Sequence, residues 1–181
     1  MSSRRYEKIA SKGLFTHPRI KLVEDAIFLP NGTKSSYLLY ENLHDGVSVI
    51  IVREDGKILL NHEYSYPSDA FEYQIPGGAV DKGELPINAA KREIKEEAGI
   101  VANNIEQLGS VLYDHRRSKA LNYFFIAKDI SVSEFDQEAE ELIDHFWFTE
   151  QQINEMIVAG KILHYGTLSA WAYYLARKTI G

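Results

Sequence analysis

Glu84, Arg92, Glu93, Glu96 and Glu97 lie between Gly78 and Gly99 in the segment GAVDKGELPINAAKREIKEEAGI. Carboxylates crowded this way repel one another unless a cation holds them together. Their oxygens are hard ligands, suited to Mg2+, Mn2+ or Ca2+. The chain has no cysteine and this segment has no histidine, which argues against a structural zinc site. Mg2+ combines a few carboxylates with waters and substrate phosphates, so the segment points to a divalent-metal site and through it to phosphate chemistry. For the glutamates alone, a solvated charged helix face is the competing reading. The fixed places of both glycines, the arginine and the aliphatic residues favour the metal.

A helix must carry these side chains. Pro86 suits a first helical turn, where a missing N–H costs nothing, and Gly99 suits the end. Between them Ile87, Ala90, Ile94 and Ala98 recur at helical steps and predict one buried stripe. Glu93 and Glu97 share a different face, with Glu96 three residues beyond Glu93. All three fall in the last turns, where the helix dipole disfavours negative charge. Local helix stability therefore does not explain their placement.

Gly78 through Ile100 resembles a complete Nudix box, G-x5-E-x7-R-E-U-x-E-E-x-G-U with U aliphatic, and no position departs from it. The resemblance implies a hydrolase of nucleoside diphosphates linked to another group, with Mg2+ as the cofactor and Mn2+ as its alternative. It implies Glu93 and Glu97 as the main metal ligands, assisted by Glu96 and by the backbone carbonyl of Gly77. It gives Arg92 the task of orienting the glutamates and Glu84 that of stabilising the loop and helping to bind metal. The fold implied is α/β (α+β): a Nudix α/β/α sandwich with a mixed sheet, plus an N-terminal antiparallel strand element.

The rest of the chain fits one domain with a full core. It has 181 residues, with ordinary apolar and charged fractions of 45% and 25%. A net charge of -6 argues against broad binding to nucleic acid. The absence of cysteine excludes disulfides and thiol catalysis and fits a cytoplasmic location. The N-terminal segment has no apolar core of a signal peptide, and no apolar run is long enough to span a membrane.

Residues 1–15 read as a loose strand or turn. Strands are predicted at 19–29, 35–40, 47–53, 57–62, 72–75, 105–113, 121–127 and 145–148, with a proline-bearing loop at 64–71. Pro30-Asn31-Gly32 and Asp55-Gly56 mark turns. Thr149 is an N-cap for a helix over 150–158, and 167–178 forms a final amphipathic helix. Residues 1–42 resemble the strand element that helps relatives of the ADP-ribose pyrophosphatase type form homodimers, which leaves 43–181 as the hydrolase domain.

Three further groups are candidates. The acidic run Asp136 to Glu141 is either a solvated loop or, by resemblance, the E-x-E loop of related pyrophosphatases. In that case Glu138 and Glu140 supply the catalytic base and a further metal contact, with Glu141 as a substitute. The basic run Asp114 to Lys119 is either an exposed turn or a phosphate grip through Arg116 and Arg117. Tyr64, Tyr66, Phe71 and Tyr73 are either core aromatics or a stacking surface for a base. His164 and Tyr165 read as structural.

The ADP-ribose branch often has a proline where this chain has His115. It also often has an arginine-bearing stretch where this chain reads His62-Glu63-Tyr64-Ser65-Tyr66-Pro67. ADP-ribose and nucleotide sugars are the expected substrates. A house-cleaning nucleoside triphosphate pyrophosphohydrolase and a non-catalytic nucleotide-sensing module are the alternatives.

Overall fold

The structure is a computed structural model that describes residues 4–41, 44–132 and 143–180. The chain forms two compact units. The first comprises Met1–His44 with Leu112–Ala120, and the second Asp45–Val111 with Leu121–Gly181.

In the first unit, β1 (Glu7–His17), β2 (Ile20–Phe28) and β3 (Lys34–Glu41) form an antiparallel sheet in that order. The turn between β2 and β3 is made by Gly32, whose φ of 82° falls in the left-handed region that glycine enters freely. β1 is an eleven-residue strand rather than the loose segment predicted, because β2 pairs with it from Glu7 to His17, with register shifts between Lys8 and Ala10 and between Gly13 and Phe15. Every residue of β1 is exposed, whereas Val23, Asp25 and Ile27 of β2 are buried.

The second unit is layered. β4 (Gly46–Ile51) runs parallel to β8 (Leu121–Val132), and β7 (Ile100–Leu112) lies on the other side of β8. β5 (Ile58–Ser65) pairs antiparallel with β6 (Ala70–Gln74) and β9 (Ile143–Phe148). An isolated bridge between Val52 and Ile58 joins β4 to β5. β4 is buried at every position, as a parallel strand covered on both faces must be.

Alternation along β4 sorts the core. Val47, Val49 and Ile51 pack with Ala89, Ala90 and Ile94 of helix α1 (Pro86–Ala98). Ile50 packs with Ile153 of α2 (Glu150–Val158) and with Ala170, Trp171 and Tyr174 of α3 (Tyr165–Ile180). Helices therefore cover both faces of the sheet layer, the α/β/α sandwich expected.

α1 has the bounds set by its end residues. Pro86 opens it, and Gly99, at φ 61°, closes it with its N–H on the carbonyls of Ile94 and Lys95. The predicted stripe needs one correction: Ile87 is 37% exposed, and Ala89 takes its place in the core. Ile87 belongs to the first turn of the helix. The proline-bearing loop is also shorter than predicted, since β5 continues through Ser65 and β6 begins at Ala70.

Candidate active site

The segment leading into α1 is fastened to the sheet by backbone bonds. Val49 N–H donates to the Pro76 carbonyl at 2.8 Å, Val47 N–H to that of Gly78 at 2.9 Å, and Val80 N–H to that of Asp45 at 2.8 Å. From the opposite layer, the Thr167 hydroxyl accepts from the Ile75 N–H at 3.1 Å. Gly77 is forced by close approach to backbone, whereas Gly78 faces the end of a side chain. A Cβ on Gly77 would collide with the backbone of Val47 and Ser48, and a Cβ on Gly78 with the Glu93 carboxylate.

Arg92 is the hub of the acidic cluster. Its Nη1 donates to Glu93 Oε1 at 2.8 Å and to Glu96 Oε2 at 2.9 Å. Its Nε and Nη2 grip both oxygens of Glu84, at 3.3 and 3.1 Å, and Nη2 also reaches the Ala79 carbonyl at 2.8 Å. These bonds raise the Arg92 pKa, and the guanidinium in turn lowers that of Glu84, helped by the Asp81 N–H.

Glu97 stands apart from that fan. Its Oε2 accepts from the Asn61 side-chain amide at 2.8 Å and from the Gly77 N–H at 3.2 Å. Burial pushes its pKa up to about 8, against the two hydrogen bonds, and the charges of Glu93 and Glu63 push the same way.

Among the described residues, no three acidic or histidine side chains converge to hold a metal ion as a group. Three of the carboxylates are instead engaged by Arg92. The donor set nonetheless fits a hard divalent cation: every candidate ligand is oxygen, and the buried Glu97 carboxyl lies within reach of the Glu93 charge.

The other sequence-predicted residues fall elsewhere. Glu138, Glu140 and Glu141 lie outside the described residues. Arg116 and Arg117 belong to the first unit, in a turn built on Asp114, whose carboxylate accepts from the Arg116 N–H at 3.0 Å and pairs with the Arg117 guanidinium at 3.4 Å. Within that unit Arg116 and Arg117 line a cavity of about 760 Å3 with Lys8, Tyr37, Tyr40 and Lys119.

Tyr64 and Tyr66 are in the second unit. Alternation along β5 places Tyr64 on the face opposite Asn61. There its ring meets Phe71 edge-on and its hydroxyl donates to Asp69 at 2.7 Å. Tyr66 is 85% exposed. The aromatics of this face are therefore not simply core: Tyr64, Tyr66 and Phe71 are all exposed, while His62 and Tyr73 stack at 4.3 Å. His164 is half-buried, and its Nδ1 lies 3.1 Å from the Thr167 hydroxyl.

Three polar residues near Glu97 escaped the sequence reading: Asn61, Glu63 and His145. The available signal was Asn61 itself, a primary amide inside the otherwise apolar start of β5.

A NUDIX domain model matches residues 42–165. The chain is 30% identical over 142 residues to the ADP-ribose pyrophosphatase of Bacillus subtilis (strain 168), covering 78% of this chain and 76% of that protein. It is 28% identical over 168 residues to the methanol dehydrogenase activator of Bacillus methanolicus, covering 91% of this chain and 90% of the relative. The fold is similar to the crystal structure of an ADP compounds hydrolase, with a TM-score of 0.87 at 18% identity, over 99% of this chain and 96% of that one.

Proposed function

Because this chain belongs to the NUDIX family and is a Nudix hydrolase, we propose that it hydrolyses the pyrophosphate bond of a nucleoside diphosphate derivative, with ADP-ribose or a nucleotide sugar as substrate. Members of the family generally require a divalent metal ion, and here we assign Mg2+, with Mn2+ as a substitute. The observation that carries the reading is the Arg92-centred cluster of Glu84, Glu93 and Glu96 beside the buried Glu97 carboxyl.

In this reading Glu93 and Glu97 hold the metal, with Glu96 and the Gly77 carbonyl as additional ligands. A metal held there would supply charge neutralisation for the diphosphate and for the charge that develops on cleavage. Arg92 keeps Glu84, Glu93 and Glu96 in register, and Glu84 braces the loop through the Asp81 N–H, which donates to it at 3.1 Å. Glu140 or Glu138 takes the proton of the attacking water. The water oxygen bonds to one phosphorus, the bridging P–O bond breaks, and two monophosphates leave. Arg116 and Arg117 are the proposed phosphate contacts, and Tyr66 with Tyr64 the proposed base contact.

Residues 1–42 are proposed as a homodimerisation element and 43–181 as the hydrolase domain. Support for the former lies in β1, where Ile9, Leu14 and Phe15 are apolar and roughly half exposed.

Replacing Glu97 with Gln tests the assignment. Turnover at saturating metal is expected to fall by about 100-fold or more, with the fold retained by circular dichroism. Turnover near that of the parent protein would remove Glu97 from the metal site.

A further inference from the structure

Asn61 lies on β5, at the centre of its three-stranded sheet, and is fully buried. A primary amide there must place an acceptor and a donor group correctly. Nδ2 donates to Glu97 Oε2 at 2.8 Å, and Oδ1 meets Nδ1 of His145 at 3.1 Å. The β5–β9 register puts His145 directly opposite Asn61. With the amide turned the other way, Oδ1 would face the Glu97 carboxylate and two acceptors would oppose each other. The observed amide orientation requires the His145 tautomer protonated on Nδ1, whose N–H would donate to Oδ1. The Gly77 N–H also takes Oε2, at 3.2 Å. Both donors therefore orient the carboxylate through one oxygen, so that it presents the other.

We propose that Asn61, its amide oriented by His145, is a positioning residue for the divalent cation. It fixes Glu97 by Oε2, which leaves Oε1 as the oxygen that would be offered to a cation. This rests on the metal reading given above. Outer partners of this kind commonly change metal affinity by about 10–100-fold.

The test is Mn2+ binding, followed by the electron paramagnetic resonance of the free ion, with thermal unfolding in EDTA as the control for folding. Wild type is compared with Glu97→Gln, Asn61→Leu, His145→Leu and His145→Gln. Asn61→Leu is expected to weaken Mn2+ binding about 10-fold or more. His145→Leu should weaken it in the same direction, and His145→Gln, which keeps a donor for Oδ1, should restore it. A folded Asn61→Leu protein with wild-type Mn2+ affinity overturns the proposal. Should that variant fail to fold, equal affinities for His145→Leu and His145→Gln overturn it instead. If wild type and Glu97→Gln bind Mn2+ alike, the metal reading itself fails, and this inference with it.

Discussion

At the scale of single residues, the cluster is organised by one guanidinium. Arg92 makes five hydrogen bonds through three nitrogens, a geometry that only a planar fork can provide. Arg92→Lys keeps the charge but reaches fewer partners, so turnover is expected to drop about 10-fold or more while the melting temperature changes little. Parallel kinetics and thermal unfolding check this, and unchanged kinetics would show that the fan is structural only. Gly77→Ala should be worse than an ordinary glycine replacement, since its methyl would meet the backbone of Val47 and Ser48. The box residues were legible because they are close in sequence and their spacing is set by one helix. Asn61 was not, because it lies 36 residues from Glu97 and reaches it only through the packing of β5 against α1. The same holds for Thr167, which holds Ile75 from 92 residues away.

At the scale of elements, end residues were the readable part. Pro86 and Gly99 fixed the limits of α1, and Thr149 those of α2, where its hydroxyl accepts from the Gln152 N–H and the Gln152 side chain returns the bond. Thr149→Ala is expected to cost about 1 kcal/mol, which thermal unfolding would register as a drop of roughly 2–4 °C. Strand lengths were less legible. β7 begins at Ile100 rather than at the predicted residue 105, because pairing with β8 outweighs local preference. α2 is also tied to α3: Lys178 donates to both Glu150 oxygens, at 2.6 and 2.9 Å, and the Tyr174 hydroxyl donates to Oε1 at 2.6 Å. Lys178, then Tyr174, holds the Glu150 pKa below its ordinary value. A carboxyl depressed in the folded state stabilises fully above its unfolded pKa of about 4.3 and loses that contribution as pH falls through the folded value. Glu150→Gln should therefore flatten the decline of melting temperature below about pH 4 relative to the parent protein. Identical acid profiles would show that this tie carries no linkage.

At the scale of the whole molecule, the family was readable from one segment, and the layered fold followed from it. The N-terminal strand element was foreseen in outline, but its recruitment of Leu112–Ala120 was not, because that loop is remote in sequence. Among the described residues no helix is long and apolar enough to cross a membrane. The exposed apolar residues of β1 predict a dimer in sedimentation equilibrium, and Phe15→Glu should shift it toward monomer. A monomeric parent protein would remove the dimerisation role of residues 1–42. The departures from the ADP-ribose branch at His115 and around Tyr64 make the substrate the question that most needs direct chemistry. The decisive measurement is the product spectrum: purified protein with Mg2+ and, separately, ADP-ribose, nucleotide sugars, dinucleoside polyphosphates and nucleoside triphosphates, analysed by mass. Cleavage of ADP-ribose or a nucleotide sugar into two monophosphates, abolished by EDTA and restored by Mg2+, is the expected result. Release of pyrophosphate from triphosphates alone, or no metal-dependent turnover of any substrate, would contradict it.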